Sequence, residues 1–337
     1  ALCQLVEPYG RTITIVPNKS LVTQTEEDFL ACNLDTGVYY GDRKEVGRYN
    51  TIATWQSLNV LEKKAKNEHS TEFKEFCEGI QTVIIDEVHM AKADVLKRLL
   101  TGPFAHCGIR WGLTGTVPKA DYEFMGLKCS IGEVANRIQA SELQDKGVLA
   151  NCHVNVLQTQ DHPQFKTYAE ELKWLTTDTT RMTWVANTIK DIATSGNTLI
   201  LVDRISAGEM LEQKIEDSVF VSGSTKNMDR KEQYDEISTA TNKVIIATYG
   251  VAAVGINIPR IFNLVLIEPG KSFVRVIQSI GRGIRKAQDK DSVQIWDITS
   301  SCKFAKRHLG ARKKFYKEAN YPYNIEKINY ENPYTRR

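Results

Sequence analysis

The stretch that decides the fold is TVIIDEVHM, residues 82–90, in which a run of β-branched residues brings two adjacent carboxylates, Asp86 and Glu87, to the end of a strand. Residues 83–85 show no alternation of apolar and polar side chains, which is typical of a strand buried on both faces of a parallel sheet. Ligands of open α/β sheets bind at the carboxyl ends of strands, so this acid pair is well placed to meet a metal-bound phosphate. One carboxylate can hold Mg²⁺ through water while the other orients or deprotonates an attacking water. The alternative is a solvated, helix-capping acid pair, and the rest of the chain supplies the context.

Length and composition indicate an ordinary globular protein. The 337 residues suggest about two domains of roughly 150 residues each. The chain is 42% hydrophobic and 25% charged, and it contains no run of membrane-spanning length, so we expect no membrane partner. Its seven cysteines are scattered without a C-x-x-C pair, which indicates neither a disulfide framework nor a zinc site. A reducing, intracellular compartment fits this cysteine usage.

Strands alternate with helices through most of the chain, which indicates parallel sheets with right-handed crossovers. Turn residues gather between residues 145 and 164, so we place a domain boundary near residue 155. The predicted organisation is an α/β unit over 1–155, a second over 156–302, and a basic extension over 303–337. Strands of the second unit are predicted at 198–202, 219–221, 243–247, 264–267 and 293–297, with helices at 206–215, 230–238 and 274–284.

The charge of the chain is unevenly distributed. Residues 303–337 contain ten Lys or Arg against three Glu, a net of +7, whereas the whole chain has a net charge of +3. This asymmetry suggests an acidic or nucleic-acid partner for the extension. A solvated chain end is an equally open interpretation.

Polar groups follow other predicted strands of the first unit. The turn Pro17-Asn18-Lys19-Ser20 offers backbone amides and an ammonium near a helix N-terminus, a site that attracts phosphate, although a simple capped turn remains possible. TWQS at 54–57 ends the next strand. TGT at 114–116 follows another strand, where its hydroxyls either link neighbouring loops or form a plain turn.

The second half contains a pair of arginines in QSIGRGIR, residues 278–285. Arg282 and Arg285 lie three apart on a predicted helix, which places both guanidinium groups on one face. Such a pair can clamp the oxygens of a transferring γ-phosphoryl group, and two surface arginines without a role are the alternative. Upstream, 247–250 and 255–259 bring hydroxyl, glycine and amide groups to another strand edge.

Taken in this order, these strings resemble the motifs of superfamily 2 helicases over the chain up to about residue 300. Within the superfamily, the chain is similar to the phage UvsW-type recombination helicases. The matching strings are IVPNKSLVTQ at 15–24 (motif Ia), TWQS at 54–57 (Ib), DEVH at 86–89 (the DExH form of II), TGT at 114–116 (III), LILV at 199–202 (IV), ATYGVAAVGINIP at 247–259 (V) and QSIGRGIR at 278–285 (VI).

The resemblance implies two tandem RecA-like domains with a cleft between them, and ATP and Mg²⁺ as cofactors. Asp86 would hold Mg²⁺ with Glu87 beside it, and Glu87 would position or deprotonate the hydrolytic water. His89 would couple the nucleotide site to the hydroxyls of Thr114 and Thr116. The remaining nucleotide contacts would come from Gly255, Asn257, Gln278, Arg282 and Arg285.

The same resemblance implies contacts with a nucleic-acid backbone, so binding should tolerate sequence changes and weaken with salt. The expected partner is DNA, branched or forked, and the expected activity is ATP-driven remodelling of such DNA in recombination and repair. An RNA helicase and a non-catalytic nucleic-acid-binding remnant of the fold remain alternatives. A phage origin would place the protein in the cytoplasm of the host cell, and the oligomeric state stays open. The residues expected to contact nucleic acid are Pro17, Asn18, Lys19, Thr54, Gln56, Ser222 and Thr248.

Two departures from the family pattern matter. No G-x-x-x-x-G-K-[ST] string occurs in the sequence, so we expect the phosphate loop of motif I to lie upstream of Ala1. If the chain begins at Ala1, ATP turnover should be abolished or very weak. Tyr249 and Asn257 stand where many relatives have acidic residues, which alters the expected ribose contact.

Overall fold

The computed structural model describes residues 2–90, 93–115, 121–138, 142, 146, 151–222, 241–253, 260–270 and 292–330. The chain forms two compact units, Ala1–Arg137 and Ile138–Arg337.

The first unit is built on a largely parallel sheet with helices on its faces. In the described residues this sheet has six strands in the order β3-β2-β4-β1-β5-β6, and the short β3 pairs antiparallel to β2. The strands are β1 (Arg11–Val16), β2 (Thr36–Tyr40), β3 (Arg43–Lys44), β4 (Asn50–Thr54), β5 (Ile80–Ile85) and β6 (Ile109–Gly112), and the helices are α1 (Leu2–Val6), α2 (Lys19–Ala31), α3 (Trp55–Asn67), α4 (Glu72–Cys77), α5 (Ala93–Thr101) and α6 (Asp121–Ser130).

Strand β5 is buried on both faces, as its unbroken apolar run predicts. Val83 and Ile85 pack with side chains of α3, α4 and α5. Ile84 packs on the opposite face with Cys3 of α1 and with Leu34. Burying each of these aliphatic side chains contributes roughly 1.5–3 kcal/mol before conformational entropy is subtracted. This burial fixes β5 as an interior strand between β1 and β6 and presents the following residues at the carboxyl edge of the sheet.

The second unit is built on a parallel sheet. Its described strands number seven, in the order β13-β7-β12-β11-β8-β10-β9, and every neighbouring pair is parallel. The strands are β7 (Asn151–Thr159), β8 (Thr198–Val202), β9 (Ser218–Val221), β10 (Val244–Thr248), β11 (Asn263–Ile267), β12 (Ser292–Ser300) and β13 (Tyr323–Ile328), and the helices are α7 (Tyr168–Thr177), α8 (Thr179–Ala193), α9 (Ile205–Lys214), α10 (Tyr249–Ala253) and α11 (Lys303–Glu318).

Both faces of the second sheet are also covered by helices. Met182 and Ile189 of α8 and Leu211 of α9 pack on one face. Leu309 and Tyr316 of α11 pack on the other. The predicted α/β fold with two parallel-sheet domains is therefore confirmed, and the predicted cleft between the domains stays a prediction.

The division of the chain differs from the predicted boundary at residue 155. Strand β7 runs through that position and lies wholly in the second sheet, where it pairs with β12 from Asn151 to Thr159. Its polar and apolar residues alternate, with Cys152, Val154 and Val156 facing the core. This alternation is the pattern of a strand. The sequence analysis did not assign it because turn-forming residues lie on either side.

The described part of the predicted extension, 303–330, belongs to the second unit. Helix α11 covers one sheet face, and β13 pairs with β7 from Tyr323 to Ile328. Helices α7 and α8 are separate because Asp178 ends α7 and its side chain caps α8 by accepting from the Arg181 amide.

In the described ranges none of the helices could serve as a transmembrane span.

Candidate functional site

The acid pair lies where β5 ends. The backbone amide of Asp86 donates to the carbonyl of Ile15 in β1 at 2.9 Å, which holds the strand end against its neighbour. The amide of Glu87 donates to Oδ1 of Asp86 at 2.9 Å. Glu87 has a φ of 47°, a left-handed conformation that ends the strand. Both carboxylates are half-buried, so a ligand can reach them from solvent.

His89 lies between Glu87 and the turn after β6. The amide of Val88 donates to the carbonyl of Leu113 at 3.0 Å, which joins the two loops. Nδ1 of His89 is 2.6 Å from the hydroxyl of Thr114 and 3.4 Å from Oε2 of Glu87. The structure thus brings together three predicted site residues in one contact series, Glu87 to His89 to Thr114.

The turn after β1 is a capped helix start with an exposed ammonium. Oδ1 of Asn18 accepts from the amide of Leu21 at 3.0 Å, so this oxygen acts as the N-cap of α2. Nε2 of Gln56 donates to the carbonyl of Pro17 at 3.0 Å and ties the turn to α3. Lys19 and Gln56 are exposed. The capped turn that the sequence allowed is therefore present, with the Asn18 oxygen as the cap. The ammonium of Lys19 stays accessible to an anion.

Thr54, which was expected to contact nucleic acid, is the N-cap residue of α3. Its side chain is buried, and its hydroxyl accepts from the amide of Ser57 at 3.2 Å as the N-cap of α3. A hydroxyl in this position stabilises the helix start, and the expected contact of Thr54 with nucleic acid stays a prediction. Gln56, two residues on, is the exposed polar side chain at the end of β4.

The order of the strands gathers these groups along one edge. Strands β4, β1, β5 and β6 are adjacent and parallel, so their carboxyl ends lie side by side. Neighbouring strands are about 4.8 Å apart, so this edge is about 14 Å wide. It presents in turn Gln56, Lys19, the acid pair and Thr114.

The second unit contributes two described residues of the predicted set. Thr248 ends β10, and its hydroxyl accepts from the amide of Val251 at 3.4 Å. Ser222 follows β9 and is buried. The other predicted residues lie outside the described residues, and their roles stay predictions: Thr116, Gly255, Asn257, Gln278, Arg282 and Arg285.

A buried charge network at the strand ends of the second unit was not anticipated from the sequence. Arg181 of α8 is fully buried, and its Nη2 donates to Oε1 of Glu268 at 2.7 Å. Its Nε lies 3.6 Å from Oδ2 of Asp161. The hydroxyl of Thr299 donates to the other oxygen of Glu268 at 3.2 Å. The guanidinium therefore joins two carboxylates that follow β7 and β11.

A second guanidinium extends this network. Nε and Nη2 of Arg312 in α11 donate to the two oxygens of Asp297 at 2.8 and 2.9 Å. The hydroxyl of Tyr316 donates to Asp297 at 2.7 Å, and Nη1 of Arg312 donates to the carbonyl of Gly270 at 3.3 Å. An Asp flanked by Trp296 and Ile298 in a predicted strand was the sequence signal for a buried partner.

The network contains three carboxylates, Asp161, Glu268 and Asp297, and two guanidinium groups. With all five ionised, one negative charge would be left without a counter-charge in the interior. Burial raises the pKa of Glu268 to about 7, and Arg181 and Arg312 oppose that rise. This network stabilises the carboxyl edge of the second sheet.

The acid pair of the first unit has the donor set that Mg²⁺ takes at nucleotide sites, namely one or two carboxylates with water and substrate phosphates. Among the described residues, no group of three or more His, Cys, Asp or Glu is arranged to hold a metal ion. Asp86 and Glu87 therefore fit a metal that arrives with a nucleotide better than a cation held by protein ligands alone.

Comparisons with known proteins find similarity to helicases in both units. The model of the helicase conserved C-terminal domain matches residues 180–287, and the model of the res subunit of type III restriction enzymes matches residues 2–119. The ATP-dependent DNA helicase uvsW of Enterobacteria phage T4 is 24% identical over 326 residues, which cover 91% of this chain and 62% of the phage protein. The chain thus spans less than two thirds of the length of this relative.

Two solved structures share the fold. The DUF1998 helicase MrfA bound to DNA and AMPPNP has a TM-score of 0.63 at 13% identity, covering 94% of this chain and 45% of that one. Dbp5 of S. cerevisiae bound to RNA and ADP BeF3 has a TM-score of 0.57 at 16% identity, covering 95% of this chain and 78% of that one. Each unit thus matches one family model, and over both units the chain is similar to helicases of superfamily 2.

Proposed function

We propose that this protein is an ATP-driven helicase or translocase that acts on DNA, and on branched or forked DNA in particular. The observation that supports this function most strongly is the half-buried acid pair at the end of β5, with His89 in contact with both Glu87 and Thr114. A capping acid pair without a catalytic role would have no need of this link to the neighbouring loop.

In this proposal the two carboxylates divide the chemistry of hydrolysis. Asp86 would hold Mg²⁺, and Glu87 would orient or deprotonate the attacking water. Mg²⁺, when bound with ATP, would neutralise charge on the β- and γ-phosphates. His89 senses the state of Glu87 and transmits it to Thr114. Gly255, Asn257, Gln278, Arg282 and Arg285 are proposed to contact the nucleotide from the second unit.

The nucleic acid would be held through its backbone. Lys19 and Gln56 are the exposed groups proposed for the first unit, with Pro17 and Asn18 forming the turn that positions them. Ser222 and Thr248 are proposed for the second unit. Backbone contacts position a strand without reading its bases, so binding should tolerate sequence and weaken with salt.

DNA is preferred over RNA in this proposal because the phage relative is a DNA helicase and MrfA was solved with DNA. Dbp5 was solved with RNA on the same fold, so RNA is the alternative partner. The two can be distinguished because RNA-directed proteins often read the 2′-hydroxyl.

The test is nucleic-acid-stimulated ATP hydrolysis by the full-length protein, measured with forked DNA, linear duplex DNA and RNA of matched sequence, followed by strand displacement on the forked substrate. We expect stimulation by DNA, greatest on forks, and ATP-dependent displacement. Stimulation by RNA alone would identify an RNA helicase. Binding without hydrolysis on any substrate would identify a non-catalytic nucleic-acid-binding protein.

A further inference from the structure

Helix α11 presents an exposed row of five cations, Lys303, Lys306, Arg307, Lys314 and Lys317, which we call the basic stripe. Each of them lies three, four or seven residues from at least one other, which keeps all five on one side of the helix. From Lys303 to Lys317 the stripe is about 21 Å long at 1.5 Å per residue.

Ion pairs do not neutralise the stripe within the part of the chain that the structure describes. Among the described residues none of the five cations forms an ion pair, and the first turn of α11 contains no acidic residue. Lys303 and Arg307 instead lie over the ring of Phe304, at 5.5 and 5.4 Å from its centroid. The described part of the stripe is therefore a surface of one sign.

The arrangement costs the helix stability. Like charges three or four residues apart on a helix are destabilising by about 0.2–0.5 kcal/mol per pair. Lys303 and Lys306 also lie in the first turn, where the helix dipole favours anions. A helix that only had to cover the sheet could place its charges more favourably, so the stripe points to an anionic partner.

The opposite face of α11 holds the stripe in place before any partner arrives. The carboxylate of Glu171 accepts from the amides of Phe304 at 3.0 Å and Ala305 at 2.7 Å, which fixes the start of the helix. Arg312 and Tyr316 fix its second half through Asp297. Because the helix is already ordered, binding would not have to offset the entropy of folding it.

We infer that the basic stripe binds the phosphate backbone of nucleic acid, as a contact additional to the strand-end motifs; the identity of the partner rests on the proposed function. A duplex carries one negative charge per about 1.7 Å of its axis, so a segment as long as the stripe offers about a dozen charges. A membrane surface fits less well, because helices that lie in a membrane interface insert an apolar face. The apolar face of α11 is buried against its own sheet.

The test compares two quadruple variants of the full-length protein. The stripe variant is K303Q/K306Q/K314Q/K317Q, and glutamine retains a high helix propensity. The control variant, K63Q/K74Q/K97Q/K190Q, changes the net charge equally at exposed lysines elsewhere. Affinity for a labelled duplex is measured over a series of salt concentrations, and circular dichroism and thermal unfolding show that both variants are folded.

We expect the stripe variant to bind every duplex sequence more weakly than the parent. The slope of log affinity against log salt should be smaller by about 3.6 if all four lysines contact phosphates. The control should keep the parent slope. A stripe variant with the parent slope would overturn the inference, as would a loss of binding to anionic vesicles without any change on nucleic acid.

The two proposals can fail separately. Stripe-dependent binding in a parent that shows no stimulated ATP hydrolysis would support the stripe and reject the motor. Stimulated hydrolysis by the parent, together with the same salt slope in the stripe variant and the parent, would support the motor and reject the stripe. Running single-stranded DNA and RNA beside the duplex shows which backbone the stripe meets, since the slope per contact is about 0.7 for single strands and 0.9 for duplex DNA.

Discussion

Glu87 in the first unit and Glu268 in the second occupy equivalent places but have opposite environments. Each follows a parallel strand, and each has a left-handed backbone, with φ of 47° and 44°. The Glu87 side chain is 24% exposed beside a histidine, whereas that of Glu268 is 5% exposed and bonded to a guanidinium. An acidic residue at the carboxyl edge of a parallel sheet is therefore a candidate catalytic residue. If it is buried against a counter-charge, as Glu268 is, its role is structural.

The two carboxylates also differ in the kind of partner that each one contacts. Glu87 meets groups that can change partner or protonation state, as a residue in hydrolysis must. Glu268 meets Arg181, which cannot lose its charge. Removing one partner of a buried ion pair leaves an uncompensated charge, while an exposed pair contributes little.

The largest expected effect comes from Glu87→Gln. The substitution keeps the shape of the side chain and removes its ability to accept a proton, so ATP hydrolysis by the full-length protein should fall by about 10² to 10⁴. The free energy of unfolding should change by less than about 1 kcal/mol, because the side chain is partly exposed. Steady-state hydrolysis and denaturant unfolding measure the two effects.

The matched control is Glu75→Gln on the exposed face of α4, which should leave both quantities unchanged. A Glu87→Gln protein that hydrolyses ATP as fast as the parent would reject the catalytic role of this carboxylate.

The next effect is on stability. Arg181→Met should destabilise the second unit by about 3–5 kcal/mol, because Asp161 and Glu268 would face each other without the cation that bridges them. Denaturant unfolding of the full chain measures the loss. Hydrogen exchange at β11 and β12, read by mass spectrometry, assigns it to this sheet.

Arg43→Met provides the matched exposed case. Arg43 bonds Glu26 and Glu45 at 2.7 Å, but its side chain is 45% exposed, so its loss should cost about 0–1 kcal/mol. Equal losses at Arg43 and Arg181 would contradict the distinction between the two environments.

The smallest effect is a pH dependence. The pKa of Glu268 is raised from 4.5 to about 7 on folding, so between these values the native state binds more protons than the unfolded state. Its contribution to the free energy of unfolding therefore falls as pH rises through this window. Glu268→Gln cannot titrate, so the stability of the parent relative to this variant should decrease from pH 5 to pH 8.

Thermal and denaturant unfolding of both proteins across this pH range measure the difference. The control is Glu75→Gln, for which the difference from the parent should not vary in the same window. A stability difference between parent and Glu268→Gln that is flat from pH 5 to pH 8 would show that Glu268 is ionised throughout.

The local patterns that predicted the fold are those of buried strands. Residues 83–85 are uniformly apolar because both faces of β5 are covered, and that signal can be read without knowing the neighbours. Strand β7 was missed because half of its residues are polar and turn-forming residues flank it. Sequence patterns also could not show that Asn18 and Thr54 cap helices. A polar residue at a strand end has the same sequence pattern whether it caps the next helix or contacts a ligand.

The sequence by itself determined the parallel sheets, the motif order and the acid pair at the end of β5, because each depends on neighbouring residues or on a short repeat. Only the tertiary structure decided that Arg181 meets Glu268, 87 residues away, and that α11 turns one face to the core and the other to solvent. Such pairings depend on which strand ends lie side by side. Strand order follows from the packing of the whole sheet and is recorded in no single stretch of the chain.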